Sequence, residues 1–135
     1  MYDNYLHADL TRKIIKAFYV VYNKLGYGFL EKIYKRALLI ELRKMGLHCV
    51  EEAPVRVYYD GELLGNFYAV IVVEDKVIVE LKTAHDFCDA DEAQLVNYLR
   101  STDVEVGLLL NFGPEPECRR RVFSNDRKKL PGNPQ

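Results

Sequence analysis

The chain has no tryptophan, only three cysteines, almost no net charge and no apolar run long enough to cross a bilayer. Each shortage removes a class of function. Cys49, Cys88 and Cys118 are odd in number, widely spaced and free of any CxxC pair. That pattern argues against a disulfide framework or a zinc site and suits a reducing cytoplasm. His7, His48 and His85 show no ligand spacing, and no Cys/His nucleophile pair follows from the order of residues. The stretch from Met1 to Arg12 lacks the apolar centre of a signal peptide, and no membrane partner is expected. With 19 Lys and Arg against 20 Asp and Glu, the formal charge is −1. Any attraction for nucleic acid must therefore come from a local basic patch.

What is present is an ordinary core. The 135 residues are 49% hydrophobic and 29% charged, enough for one hydrophobic centre. We expect a single domain over 1–130, followed by a flexible tail, 131–135, of the composition Pro131-Gly132-Asn133-Pro134. No internal repeat is evident.

Periodicity predicts a helix from Leu10 to Leu25, with Leu10, Ile14, Phe18, Val21 and Leu25 on one stripe. Gly26-Tyr27-Gly28 ends it. A second helix is predicted from Phe29 to Met45, with Ile33, Ala37 and Ile40 on one apolar line and Leu30, Tyr34 and Leu38 on its neighbour; Gly46 stops it. The pattern then becomes extended. Val55–Tyr59 reads as a strand, Asp60-Gly61 as a hairpin turn, and Leu63–Val73 as a second strand. After the Glu74-Asp75 turn, Val77–Lys82 is a β-branched run of the kind buried on both faces. Asp89 and Glu92 suggest a capping box opening a helix that ends near Ser101-Thr102. Val106–Asn111 is an apolar fourth strand. Because a helix separates it from Val77–Lys82, a parallel crossover is the economical connection. Arg120–Phe123 adds a short edge strand. The fold class is α/β, a mixed sheet of four to five strands flanked by helices.

Chemistry concentrates at Glu80-Leu81-Lys82. Alternation along a strand puts Glu80 and Lys82 on one face, about 7 Å apart. A carboxylate there can hold a hard cation, and a neighbouring ammonium can steady a phosphate oxygen or lower the pKa of an attacking water. Alone, such a tripeptide is most often a solvated strand end. Two further patterns accompany it. Gly28-Phe29-Leu30-Glu31-Lys32-Ile33-Tyr34 has the form GxxExxY, although Glu31 in a first helical turn also has a plain role opposite the helix dipole. Gln94-Leu95-Val96-Asn97-Tyr98 has the form QxxxY, which places both polar groups on one side of a helix, as a simple hydrogen-bonded pair would be.

Taken together and in this order, the three motifs resemble those of the GxxExxY proteins, a small branch of the PD-(D/E)XK nuclease superfamily. The likeness runs from the Ile14–Phe18 helix, through Lys76–Lys82 and the Glu92–Leu95 helix, to Val106–Phe112. It implies a restriction-endonuclease-like core and Mg²⁺- or Mn²⁺-dependent hydrolysis of phosphodiesters in DNA or RNA. By the same likeness Glu80 would be the metal-binding acid and Glu31 the acid of the first helix motif; Glu31 and the Leu81 backbone carbonyl are the further candidate oxygen donors to the metal. Lys82 would be the lysine of the signature, and Gln94 would orient it or meet the substrate backbone. Tyr34 and Tyr98 are the accompanying candidate substrate contacts. Arg119, Arg120 and Arg121, followed by Arg127-Lys128-Lys129, form the densest basic segment. They would touch phosphates, unless they are merely a solvated edge strand.

One position departs from that pattern. Register places Val70 where the superfamily carries its metal-binding aspartate, at the bend of the strand, and valine has no oxygen to offer. Metal binding and cleavage are expected to be weakened. The alternative is a nuclease-fold protein without catalysis that binds nucleic acid or a protein partner. A homo-oligomer formed through an edge strand is a third, blander reading.

Overall fold

The computed structural model describes residues 6–65 and 67–128. The expected tail and Lys129 lie outside them. Helix α1 spans Ala8–Leu25 and buries Ile14, Ala17, Phe18 and Val21. It ends at Gly26, whose φ of 69° is the left-handed conformation the glycine turn was expected to supply.

Helix α2 spans Glu31–Lys44, and its inward stripe is Tyr34, Leu38 and Leu42. Leu30, Ile33 and Ile40, expected on apolar lines, are exposed. The helix has more apolar residues than one face can bury. Aromatic packing selects among them: the Tyr34 ring stacks on Phe112 at 4.5 Å, and Phe18 meets Phe112 edge-on at 4.7 Å.

Five strands form the main sheet in the order β1-β4-β5-β6-β7. They are β1 (Cys49–Val55), β4 (Phe67–Val73), β5 (Val77–Lys82), β6 (Val106–Phe112) and β7 (Pro116–Val122). Helix α3, Asp89–Arg100, carries the chain from β5 to β6, and these two strands are parallel as expected. All other pairs in this sheet are antiparallel.

Three strand expectations are corrected. The first sheet strand is Cys49–Val55, and of the expected Val55–Tyr59 strand only Val55 belongs to it. The Asp60-Gly61 turn joins two-residue strands, β2 (Tyr58–Tyr59) and β3 (Glu62–Leu63), which form a separate hairpin. The edge strand β7 is seven residues long and begins at Pro116.

Side-chain alternation sorts the sheet into two cores. Val77, Val79, Leu81, Leu108 and Leu110 face α1 and α2, while Ile78 and Leu109 face α3 with Leu95 and Leu99. Glu80 and Lys82 share the parity of Ile78 and so leave the sheet on the α3 face. The alternation fails at one place. Ala69 belongs to the α3-side core but Ile71 and Val73 to the other; Ala53 and Val55 likewise oppose Cys49. The β1–β4 ladder accordingly skips Glu52 and Val70 while keeping its register on both sides. Glu52 takes φ 50° there, so the two strands turn over together.

The path out of β5 is fixed by β6. Asn111, almost wholly buried, accepts from the Ala84 N–H at 3.0 Å and donates to the Ala84 carbonyl at 2.8 Å. Gly113 makes room for that contact, since a Cβ there would lie 1.9 Å from the Ala84 oxygen. We expect Gly113→Ala to destabilise the fold by about 3 kcal/mol, because a backbone oxygen cannot swing aside as a side chain can. Urea unfolding checks this; a midpoint equal to that of the parent would show that the loop gives way freely.

Candidate active site

Glu80 sits near the end of β5, only 6% exposed. The β4–β5 ladder stops at Ile71 opposite Val79. Beyond it the Glu80 carboxylate accepts the Val70 N–H at 3.1 Å. The kink thus releases a backbone donor from the ladder and turns it toward the buried acid. Burial, the largest influence, pushes the Glu80 carboxyl up to about 7, against the opposing pull of the Val70 N–H and the Lys82 charge. The charges of Glu31 and Glu52 push it further up.

Glu31 is the first residue of α2 and is also raised, chiefly by burial, with Lys82 opposing and Glu52 adding to the rise. Its place is set by Tyr34. The Tyr34 hydroxyl donates to the Gly26 carbonyl and accepts the Phe29 N–H at 3.2 Å, so it ties both sides of the turn that leads into Glu31. Tyr34 is fully buried. It has no surface for a substrate, and the expectation that it makes such a contact is corrected to that of a positioning residue.

Lys82 faces Asp91, with Nζ 3.7 Å from Oδ1. The other Asp91 oxygen accepts the Cys88 N–H at 3.2 Å, so the cap of α3 is Cys88 with Asp91 rather than Asp89 with Glu92. Gln94 does not orient the lysine: its Nε2 donates to the Tyr98 hydroxyl at 3.1 Å, out on the exposed side of α3. The lysine's partner is thus Asp91, three residues before Gln94. That i, i+3 spacing puts the two on one helix face and was the signal available in the sequence. Leu81 lies between Glu80 and Lys82 with its side chain in the α1/α2-side core.

Glu52 was also missed. From the kink it reaches Lys35 of α2 at 3.0 Å, and Glu51 approaches the same ammonium at 3.4 Å. Nothing in the pattern Cys49-Val50-Glu51-Glu52-Ala53-Pro54 announces a strand, let alone a kinked one.

The arginines of β7 are tied to the protein. Arg119 and Arg121 both bond Glu92 of α3, Arg119 also reaches Glu117 at 3.1 Å, and its guanidinium lies over the Phe87 ring. These bonds hold the Glu92 carboxyl below its usual range, the Arg119 bond most strongly. Arg120 points the opposite way and donates to the Leu6 carbonyl. The three arginines thus tie β7 to α3 and to Leu6, just ahead of α1.

Residues 8–122 match the PD-(D/E)XK nuclease superfamily. The chain belongs to that superfamily. Among solved structures, the crystal structure of SSO0001 matches with a TM-score of 0.54 and 18% identity over 72% of this chain, which supports the fold alone. This chain spans about half of that one, 52% of its length. No curated protein matches the chain. The five-stranded mixed sheet with flanking helices is the PD-(D/E)XK architecture expected from the motifs. No described helix is long and apolar enough to cross a membrane.

Members of the PD-(D/E)XK superfamily generally use divalent metals. The donors here suit a hard cation in kind, because Glu31 and Glu80 offer carboxylate oxygens and the Glu31 charge adds to the rise at Glu80. They fall short in number: among the described residues no three His, Cys, Asp or Glu side chains converge. Val70, half-buried against the α1/α2-side core, stands at the kink and contributes only its N–H.

The raised Glu80 carboxyl fixes a pH dependence. Its folded-state value of about 7 exceeds the ordinary 4.5, so the native state holds the proton more tightly than the unfolded chain. Stability then falls as pH rises between these values, by about 3 kcal/mol for the full shift. Glu80→Gln keeps an acceptor for Val70 and removes the titration. Urea midpoints at pH 5 and pH 8 should differ much less in the variant than in the parent; equal slopes would mean that Glu80 is ionised throughout.

Proposed function

We propose that this chain is a nucleic-acid phosphodiesterase of the GxxExxY branch, weakened at its metal site by Val70. The carrying observation is the buried Glu80 carboxylate beside Lys82 and Glu31 at the sheet kink. Glu31, Glu80 and the Leu81 carbonyl would hold Mg²⁺ or Mn²⁺. When bound, the cation supplies charge neutralisation at a phosphate and acidification of water. Lys82, held by Asp91, stands where it can donate to a non-bridging phosphate oxygen. The Gln94–Tyr98 pair lines the approach along α3. A hydrogen-bond donor from the Val70 backbone keeps the Glu80 oxygens oriented without adding a ligand.

A second reading has its own observation. At the kink, where the superfamily pattern calls for an aspartate, the chain carries an isopropyl group packed against the α1/α2-side core. On that reading the protein has kept the fold, has lost the chemistry, and binds nucleic acid or a protein partner.

One comparison separates them. Mn²⁺ should bind the parent weakly and bind Val70→Asp about tenfold tighter, with Glu80→Ala abolishing both. Cleavage of DNA and RNA should be slow in the parent and faster in Val70→Asp. If only the Val70→Asp variant cuts, the parent is the non-catalytic binder. Binding of Mn²⁺ that survives Glu80→Ala would remove the metal site from β5.

A further inference from the structure

Alongside α3 runs an open groove of about 700 Å³, lined by α3 from Ala90 to Ser101 on one wall and by Val57, Leu64 and Phe67 on the other. We infer that this groove takes an unpaired nucleobase, which makes single-stranded nucleic acid the preferred substrate class. The inference rests on the reading that the chain acts on nucleic acid, and it adds what that reading leaves open.

Three observations carry it. The groove is continuous with the candidate active site, because Asp91 lines its head and holds Lys82 at 3.7 Å. A strand whose phosphate rests on Lys82 therefore has its neighbouring nucleotide at the mouth of the groove. The lining is also of the right kind. Phe67, 41% exposed, and Tyr98 offer ring faces, and base stacking on aromatics is favourable for every base. Leu64, Val57 and Ala93 supply the apolar floor.

The third observation is the polar pair between them. Gln94 spends one of its two amide N–H groups on the Tyr98 hydroxyl, and Asn97 Oδ1 accepts from Arg100 at 3.5 Å. Among the described residues this leaves the Gln94 carbonyl as an acceptor and the Asn97 amide nitrogen as a donor, three residues apart on one helix face. Amide side chains with that complement meet the hydrogen-bonding edge of a base. Charge agrees with it. Asp91 is matched by Lys82 at the head, and Arg100 stands at the tail, about 14 Å away at 1.5 Å per residue. The volume is within the range of small-ligand sites and holds a nucleoside. A paired base shows neither face nor edge to such a groove, so a duplex must open to use it.

The test is binding of the full chain, in EDTA at low salt, to fluorescein-labelled single-stranded DNA, single-stranded RNA and a duplex of the same sequence. Anisotropy should report single strands bound about tenfold more tightly than the duplex. Phe67→Ala removes a stacking face, and Ala93→Leu fills the floor at an exposed helix position. Each should lower single-strand affinity by about tenfold, leaving duplex binding and the urea midpoint unchanged. Should a variant lose its fold, crosslinking of 4-thiouridine oligonucleotides to the parent decides, with adducts expected on the groove walls.

Equal affinity for duplex and single strand overturns the inference. So do adducts mapping elsewhere, or single-strand affinity untouched in folded variants. Capture of an apolar peptide in place of any oligonucleotide has the same effect. Because EDTA removes metal chemistry, failure to bind Mn²⁺ would sink the active-site reading and leave the groove standing. Cleavage without single-strand preference would do the reverse.

Discussion

A carboxylate buried beside a hole in a β-ladder is the constraint around which the sheet is arranged. Glu80 cannot be solvated where it stands, and an apolar neighbour would leave it orphaned at a cost of several kcal/mol. The kink at Glu52 and Val70 meets that need by turning a backbone N–H out of the ladder toward it. Without the acid, the unpaired Val70 N–H would itself be a buried donor lacking a partner. Each irregularity therefore justifies the other, and neither would persist alone. The raised proton affinity of Glu80 follows first from its burial, with the charges of Glu31 and Glu52 adding to it.

The elements around that acid act as supports. Tyr34 braces the glycine turn and so fixes the first turn of α2, from which Glu31 approaches. Asn111 and Gly113 hold Ala84, which sets where the chain goes after Lys82 and hence where α3 begins. Asp91 uses one oxygen to cap α3 and offers the other to Lys82, so the lysine is referenced to the helix start. A site assembled in this way is carried by β4, β5, α2 and α3 rather than by a loop, and rigid elements hold catalytic geometry better than loops do.

Much of this was legible in the residues. The β-branched run Val77–Val79 announced a strand buried on both faces, and the helix between it and Val106 announced a parallel crossover; both features follow from side-chain period and connection length alone. The Glu80, Lys82 and Glu31 set was legible from motif order. What escaped was whatever depends on tertiary contact. Strand β1 was hidden because its alternation is broken at Glu52 and diluted by Pro54. The inward face of α2 was read only in part: Tyr34 and Leu38 stood on one of two apolar lines, and Ile33 and Ile40 compete with Tyr34 on equal hydrophobic terms until Phe112 chooses the aromatic one. The three arginines looked like a phosphate patch because Glu92 lies 27 residues from Arg119 in sequence yet bonds it in space. Asp91 was passed over for Gln94 because the register of a helix cap shifts by one residue without changing its appearance.

The kink also shapes the rim of the molecule. Strand β1 is the outermost strand on its side, and an outermost strand is normally a template on which another chain can build. Here the left-handed residue Glu52 bends it midway, Pro54 withholds one donor, and Glu51 and Glu52 are drawn onto Lys35 of α2. A second copy laid antiparallel on β1 would meet a curved border with a gap in its donors. Whatever preserves the irregular pairing that serves Glu80 thus also guards against stacking into fibres, a form of solubility insurance written into the backbone rather than into surface charge.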